Sequence, residues 1–398
     1  MNSAAPLAAR RRQRNAAERR FRLAALAAVC LSLGFVVFLL GTMAVEGARG
    51  FVETRVTLPI DLKAAGLTAT DGEARFAAAI DDAATRAFGR NGPACLAEGS
   101  WMHLRDAVRQ DPALLVRPGS IELPASSPVD VAAKHDGTPA AEAAVARLTA
   151  AGALSRGIDW AFLTGADATD PVRAGIWSAL KGSLLTLTVT LLLAFPIGVL
   201  AALYLEEYAP RNRWTDFIEV SINNLAAVPS IIFGLLGLAV FLGTLHLPRS
   251  APLVGGLTLA LMTMPVIVIA GRNAIRAVPP SIRDAALAVG ATPVQVMFDH
   301  VLPLAMPGIL TGTILGLARA LGETAPLLMI GMRAFIAAAP RGFTDPATVL
   351  PVQIFLWSDQ IDRGFVEKTS AAIIVLLVLL LSMSGIAIWL RQRFEARR

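Results

Sequence analysis

The sequence predicts an all-α integral membrane protein with six transmembrane helices and one extramembrane insert between the first two. The first observation is composition: the 398 residues are 55% hydrophobic and 17% charged, whereas soluble domains carry about 25% charged residues. The second is a mean hydropathy of +0.59. The third is the gathering of apolar residues into runs of about 20, the length that crosses about 30 Å of hydrocarbon.

Six apolar runs reach this length. Pro196, Pro229 and Pro265 lie inside three of them, and proline is tolerated in membrane helices where neighbouring helices or side chains satisfy the freed carbonyl. We therefore predict one transmembrane helix for each run. The runs cover residues 23–43, 179–203, 225–246, 253–271, 308–331 and 371–390.

Basic residues predict the orientation of these helices. The net charge is +6, and the arginines gather at the edges of apolar runs, which favours a role in membrane topology over nucleic-acid binding. The tails 1–22 and 392–398 are both basic, and six crossings place both on one side of the membrane. The positive-inside rule makes that side cytoplasmic, together with the loop 272–305.

The first apolar run has two interpretations. A basic region followed by an apolar stretch is typical of a secretory signal peptide, whose apolar part has about 7–15 residues. The run here has 21 residues, from 23 to 43. This length favours a retained transmembrane helix.

Residues 44–175 form the predicted insert, on the periplasmic side of the membrane. Its 132 residues are enough for a small domain, and we find no catalytic constellation in it. His103 and His135 stand alone and are interpreted as packed or solvated side chains. Cys30 lies in an apolar run and Cys95 in the polar insert, so we predict no disulfide between them and no metal site.

The loop between the fourth and fifth runs has the local signals of a helix, a glycine turn and a second helix. A Pro-Pro pair at 279–280 ends the preceding membrane helix. Ser281 is the predicted N-cap of a short helix, with Asp284 three residues on in a capping-box arrangement. We predict that this helix runs through Val289 and that Gly290 supplies the left-handed residue beyond its end.

A second capping box opens the helix that follows. Thr292 is its predicted N-cap, Pro293 its first residue and Gln295 the partner three positions on. We predict that this helix ends near Val301, before Pro303. An elbow of this kind, kept slim by alanines, can lie in a groove of another protein, and an ordinary structured loop is the alternative that these spacings leave open.

The elbow resembles the loop that marks the permeases of ABC importers. Their pattern is Glu-Ala-Ala, three residues, Gly, nine residues, Ile, one residue and Leu-Pro, and in that family the loop docks into a cleft of the ATPase subunit. The chain departs from the pattern at Asp284, which keeps the negative charge, and at His300, which replaces the isoleucine. The resemblance implies an ATPase-coupling loop formed by Ser281, Asp284, Ala285, Ala286, Gly290, Leu302 and Pro303.

Three further segments narrow the resemblance to phosphate-importer permeases of the PstA type, which have the MetI-like fold. They are residues 182–210, 223–241 and 317–328, within a predicted permease domain at 176–391. The resemblance implies a multi-pass protein of the bacterial inner membrane that is not an enzyme and binds no cofactor itself. It also implies a PstC-like second permease, a PstB-like ATPase dimer that binds ATP and Mg²⁺, and a PstS-like phosphate-binding protein outside. The chain has no GxxxxGK[ST] phosphate loop, so we expect ATP hydrolysis on another chain.

One charged pair interrupts the apolar run 308–331. Arg319 and Glu323 are four residues apart, so we expect them to share one helix face, turned away from lipid because a charge at the bilayer centre costs about 2.5–3.5 kcal/mol. Gly316 and the small residues around it suit close helix packing there. Either the pair neutralises itself and fixes the packing, or Arg319 offers a fork of donors to phosphate. The resemblance gives Arg319, Glu323 and Thr324 as the predicted substrate-path residues.

Three other functions fit parts of the sequence. A permease for another oxyanion, such as sulfate, molybdate or phosphonate, would share the arginine. A secondary transporter commonly shows internal repeats, and we find none. A membrane sensor that does not transport is favoured only by the unassigned insert. Competition among anions during uptake and dependence on an ATPase distinguish these functions.

Overall fold

The computed structural model describes residues 4–63, 66–68, 71–134 and 137–395, with side chains described for residue 15 and for residues 17 to 393 within those ranges. His135 lies outside the described residues. Within them, five helices are long and apolar enough to span a membrane, and a bent helix pair raises the number to six if it forms one span. The prediction of a mostly helical, multi-pass membrane protein is confirmed.

The first helix, α1 (Ala4–Gly50), is one continuous element of 47 residues. The predicted boundaries at residues 22 and 44 fall inside it, since no proline lies between Pro6 and Pro59 to interrupt the helix. Its side chains are exposed along most of the apolar part. It contacts the rest of the molecule near its far end, where Gly47 and Gly50 lie against the last helix of the chain.

The insert contains a β-sheet, which the all-α prediction did not include. Three antiparallel strands form it, with the first strand in the centre. Val56, Leu58 and Ile60 of that strand are buried, as the two-residue period of a strand requires. The elements of the insert are β1 (Val52–Ile60), α2 (Glu73–Phe88), α3 (Ser100–Gln110), β2 (Gly119–Pro124), α4 (Ser127–Lys134), α5 (Pro139–Ala150), β3 (Leu154–Ile158) and α6 (Trp160–Thr164), with short 3-10 turns at Pro93–Cys95 and Pro112–Leu115.

Beyond the insert the described chain is helical. Short π-helical segments extend two of the helices, at Tyr204–Tyr208 and Gly237–Thr244, and a third, Val296–Val301, joins two others. The helices are α7 (Trp177–Leu203), α8 (Arg213–Ala226), α9 (Ser230–Leu236), α10 (Pro252–Arg276), α11 (Pro280–Ala288), α12 (Pro293–Gln295), α13 (Leu302–Gly322), α14 (Ala325–Met329), α15 (Leu350–Ser358) and α16 (Gly364–Glu395).

The third apolar run does not form the single helix predicted for residues 225–246. The helix breaks at residues 227–229, and α8 and α9 meet at 104°. Pro229 takes the extended N-cap position of α9 instead of a place inside a helix, because it has no backbone N–H to donate to the preceding turn. The number of crossings, and with it the predicted common side of the two tails, depends on how this bent pair sits in the membrane.

The helices of the membrane part approach one another closely where glycines replace larger residues. α10 packs against both α7 and α13. A Cβ atom at Gly256 would lie 2.4 Å from the Val189 Cβ, and one at Gly312 would lie 2.1 Å from the Ala270 Cβ. Such contacts are typical of membrane helices, whose association depends on close van der Waals packing.

Candidate functional site: the elbow and the end of the fifth span

The elbow, residues 280–301, begins with α11, and its start differs from the prediction. Pro279 holds the N-cap position and Pro280 is the first helical residue, since the fixed φ of proline suits the first turn. Ser281 therefore lies inside the helix, where its side chain makes no cap hydrogen bond, and Asp284 completes no capping box. The predicted Ser281 cap is wrong, whereas the short helix itself is confirmed and ends one residue before the predicted end.

The glycine turn and the second capping box form as predicted. Gly290 has a φ of +90°, a conformation that side chains with a Cβ rarely adopt. Gln295 N–H donates to the Thr292 hydroxyl at 3.3 Å, and Thr292 N–H donates to the Gln295 Oε1 at 2.8 Å. Local sequence thus determines the bend of the elbow.

The elbow presents an apolar outer surface and a buried inner one. Ala286 is buried among the bundle helices, while Asp284 and Ala285 are exposed. Val289 is 84% exposed, the largest exposed fraction among the large apolar side chains of the elbow. The other large apolar side chains exposed on the elbow are Leu287, Val294 and Phe298.

Pro303 does not end the second helix of the elbow, and that prediction is wrong. The π-helical segment Val296–Val301 carries the chain into α13, so helical structure is continuous from Pro293 to Gly322. Leu302 N–H donates to the Met297 carbonyl, five residues back, and this wider turn makes room for a proline ring that an α-helical turn would crowd. The elbow is therefore helically continuous with α13, the span that contains the start of the fifth predicted run.

Arg319 and Glu323 form an ion pair at the end of that span. The Arg319 Nε lies 3.5 Å from the Glu323 Oε1. Among the described residues, Arg319 forms an ion pair with Glu323 alone. Arg319 occupies the last turn of α13, but Glu323 has left the helix, with φ −79° and ψ 126°. The expected shared helix face is wrong, and the pair instead brackets a helix end. The Arg319 side chain is 48% exposed and that of Glu323 19%.

The contacts of α13 place Arg319 near the mid-height of α10, a helix long and apolar enough to span a membrane. Gly316 lies against Thr263, near the middle of α10 (Pro252–Arg276). Arg319 follows by three residues, about 4.5 Å along the axis, toward the end opposite the elbow. Gly308, Leu315 and Arg319 are all exposed, and their spacing puts them on one face of α13. A guanidinium at this depth requires protein or water opposite it rather than lipid.

The predicted helix 308–331 is broken within this pair, because α13 ends at Gly322, between Arg319 and Glu323. Glu323 and Thr324 separate α13 from α14, and Thr324 is the N-cap of α14, where it makes no side-chain cap hydrogen bond. Discontinuous helices at membrane depth line the substrate sites of many transporters. Arg319, Glu323 and Thr324 thus lie at one helix break, Arg319 in the last turn before it and the other two within it.

Sequence reasoning missed a cluster of charged residues beside the elbow. We name it the inner network. Its signal in the sequence was two adjacent glutamates at the end of the second apolar run and arginines on either side of the Pro-Pro pair. Its members are Glu206, Glu207, Glu219, Arg272, Arg276 and Arg283.

The described residues contain no cluster of three or more potential metal ligands. Cys30 and Cys95 are free cysteines, the first exposed and the second buried in the core of the insert. Burial lowers the pKa of His103 below its ordinary value, while the nearby charge of Asp106 raises it. The candidate site is therefore defined by charge and helix geometry.

Comparison with known proteins identifies two regions of the chain. Residues 194–396 match the family model "Binding-protein-dependent transport system inner membrane component". Residues 8–143 match a domain of unknown function, DUF3333, which covers the first helix and much of the insert. The first match spans more than half of the chain.

Relatives with printed functions match the same part. The probable ABC transporter permease protein YqgI of Bacillus subtilis is 31% identical over 57% of this chain and 82% of its own length. The phosphate transport system permease protein PstA of Haemophilus influenzae is 33% identical over 53% of this chain and 74% of its own. PstA 1 of Mycobacterium tuberculosis is 38% identical over 39% of this chain, which spans about half (51%) of that relative.

A solved chain of the MetNI methionine ABC transporter, in an inward-facing conformation, superposes with a TM-score of 0.45 at 18% identity, over 55% of this chain and 97% of that one. The family assignment does not depend on this superposition and follows from the sequence matches. Members of this family are not enzymes, and the ATPase of an ABC transporter is a separate subunit. The chain therefore belongs to the binding-protein-dependent transport system inner membrane components, the MetI-like permease subunits of ABC transporters.

Proposed function

We propose that this chain is a permease subunit of an ATP-driven importer of inorganic phosphate in the bacterial inner membrane, with both termini cytoplasmic. The observation that carries the proposal is Arg319, a half-exposed guanidinium near the mid-height of α10 and beside a helix break. The similarity to PstA proteins of several bacteria supports phosphate as the substrate. The basic tails support the orientation.

The geometry of the pair suits transient binding of an anion. A guanidinium presents five donors in a planar fork that matches the oxygens of phosphate. Glu323 engages one edge of that fork at 3.5 Å, which leaves the other edge toward the exposed face of α13. The carboxylate neutralises the arginine when the path is empty and competes with phosphate, so that the anion is released rather than trapped.

Coupling to ATP hydrolysis is assigned to the elbow. Its exposed apolar surface and its position at the start of the fifth span suit the helix-in-groove mode of docking. The partner would be a PstB-like ATPase dimer, which binds ATP and Mg²⁺, while a PstC-like permease completes the path and a PstS-like protein delivers phosphate. The role of Ser281, Asp284, Ala285, Ala286, Gly290, Leu302 and Pro303 in this docking stays a proposal.

The test is phosphate uptake in cells that lack their own permease, with Arg319→Gln. We expect uptake to be abolished while the complex still assembles, measured by co-purification of the ATPase. Arg341→Gln, in an exposed outer loop, is the matched control and keeps uptake. Normal uptake by Arg319→Gln contradicts the proposal. Competition by sulfate, molybdate or phosphonate that exceeds competition by phosphate would assign another oxyanion.

A further inference from the structure

The inner network joins four helices at the elbow side of the bundle. Three of its carboxylates face three arginines, so the cluster is neutral overall. Glu206 and Glu207 lie in the π-helical extension of α7, Glu219 lies on α8, Arg272 and Arg276 lie in the last turns of α10, and Arg283 lies on α11 of the elbow.

One half of the network fastens α7 and α8 to α10. Arg276 donates two parallel hydrogen bonds to the Glu206 carboxylate from one edge of its guanidinium, with Nε–Oε1 and Nη2–Oε2 distances of 2.9 and 3.0 Å. Arg272 bridges Glu206 at 3.3 Å and Glu219 at 2.9 Å. None of these hydrogen bonds involves the elbow. A movement of the elbow therefore leaves the contacts among α7, α8 and α10 in place.

The other half fastens the elbow to α7. Arg283 donates from Nε and Nη2 to the Glu207 Oε1, at 3.1 and 2.6 Å. It also donates to the carbonyls of Val278 and Ile275, at 2.7 and 3.1 Å, in and just beyond the last turn of α10. Among the described residues, this is the ion pair that connects the elbow to another element.

The pair is turned away from the surface proposed to dock. The side chains of Arg283 and Glu207 are 21% and 20% exposed, whereas Asp284, Ala285 and Val289 point outward. Arg283 and the buried Ala286 are three residues apart, on the inner face of α11. A substitution at Glu207 therefore changes the inner contact without changing the docking surface.

The elbow reaches the two sides of the bundle by different routes. Helical continuity from Pro293 to Gly322 connects it to α13. No such continuity exists with α7, whose end is the π-helical turn Tyr204–Tyr208. π-Turns are frequent at functional sites, and this one carries Glu206 toward α10 and Glu207 toward the elbow.

We propose that the Arg283–Glu207 pair is the contact that passes movement of the elbow to α7, with both residues as positioning residues. The inference rests on the proposed docking of an ATPase on the elbow. Without the pair, the elbow still binds the ATPase and still moves α13. However, α7 then no longer moves with the elbow. ATP is therefore hydrolysed with little transport of phosphate.

The test compares phosphate transported with ATP hydrolysed in the same proteoliposomes, using the complete complex. For Glu207→Gln we expect ATP hydrolysis to stay within about twofold and phosphate per ATP to fall about tenfold, the range of a typical coupling between sites. Glu219→Gln is the matched control, since it removes an equivalent carboxylate that does not contact the elbow. Its ratio stays at the wild-type value.

The outcomes separate this inference from the proposed function. Absence of phosphate transport by the wild-type complex refutes the proposed function, and the same ratio can then be measured with the anion that is transported. A wild-type ratio for Glu207→Gln in a transporting complex refutes the coupling role alone. Failure of Glu207→Gln to assemble, while Glu219→Gln assembles, also overturns it, because the pair would then serve folding. An intermediate ratio for Glu207→Asp, which keeps the charge on a shorter side chain, supports it.

Discussion

The molecule has two clusters of charge at opposite ends of its bundle, and they are built differently. The inner network uses arginines, most of them partly exposed. The second cluster, which we name the outer joint, lies where the insert meets the start of α16 and uses lysines. Its members are Asp130, Lys134, Asp159, Glu367 and Lys368.

The outer joint is almost completely withdrawn from solvent. The side chains of Lys368 and Asp159, which form an ion pair, are 6% and 1% exposed. Lys134 binds Asp130 at 2.6 Å and Glu367 at 3.2 Å. The Lys368 ammonium also lies 5.0 Å from the centre of the Phe162 ring, so a cation–π contact adds to the ion pair.

The difference separates a fixed joint from an adaptable one. Removing one partner of a buried pair costs about 3–5 kcal/mol, because the other charge stays buried, whereas an exposed pair contributes about 0–1 kcal/mol. The outer joint therefore holds α1, the insert and α16 as one unit. The inner network is less withdrawn from water, since the side chains of Arg276 and Glu219 are 61% and 39% exposed, so we expect it to exchange partners at a lower cost than the outer joint.

The largest effect is expected for Lys368→Met, which breaks the outer joint. Asp159 would stay buried without its cation, and the insert should lose about 3–5 kcal/mol of its resistance to opening. Hydrogen exchange of the amides of β1 and α6 in the purified complex measures this. Lys63→Met, at an exposed lysine of the insert, is the control.

A second variant checks the cause. Asp159→Asn combined with Lys368→Met removes both charges but keeps an oxygen for the N-cap bond from Phe162 N–H, which is 2.8 Å long. We expect it to recover most of the lost protection. Protection in Lys368→Met equal to that in Lys63→Met would mean that the outer joint does not fix the insert.

A smaller effect is expected for Arg272→Gln in the inner network. Glu206 keeps its two hydrogen bonds from Arg276, and Glu219, whose side chain is 39% exposed, returns to water. The loss should be about 1 kcal/mol, measured by hydrogen exchange at the ends of α8 and α10. A loss as large as that of Lys368→Met would remove the contrast between the two clusters.

Local features of the fold were predictable, and long-range ones were not. The bend at Gly290 and the Thr292 cap depend on neighbouring residues, and both predictions are confirmed. The continuity through Pro303 was missed because a π-helical turn absorbs the proline. The outer joint pairs Asp159 with Lys368 across 209 positions of sequence, and no periodicity or motif announces such a contact.

The candidate site divides in the same way. The charged residues Arg319 and Glu323 in an apolar run predicted an ion pair, and the ion pair exists. The helix break between them was not predictable from the sequence, because glycine and threonine, which occupy positions 322 and 324, also occur inside membrane helices. The sheet of the insert has a signal in the sequence, the alternation of apolar residues at Val56, Leu58 and Ile60. This signal is short, and the longer helical patterns of the insert outweighed it in the prediction.

The smallest effect concerns the edge of the outer joint, where Glu53 adds a further acid. Burial raises the pKa of Glu53 above its ordinary value of 4.5, with the charge of Asp159 also raising it and the hydrogen bond and charge of Arg55 and the charge of Lys368 lowering it. Between 4.5 and the raised pKa the folded chain holds more protons than the unfolded chain, so stability falls as pH rises through this window.

Glu53→Gln removes this titration. Relative to the wild type, the variant should gain protection from hydrogen exchange in β1 as the pH rises from 4.5 to neutrality, by less than the change at Arg272. Glu142→Gln, at an exposed position of α5, should show no such trend. A trend of the opposite sign would mean that Arg55, 2.5 Å from the Glu53 carboxylate, outweighs burial. Ion pairing, and not burial, would then dominate the electrostatics at the edge of the outer joint, as it does in the inner network. The degree of burial would no longer explain the difference between the two clusters.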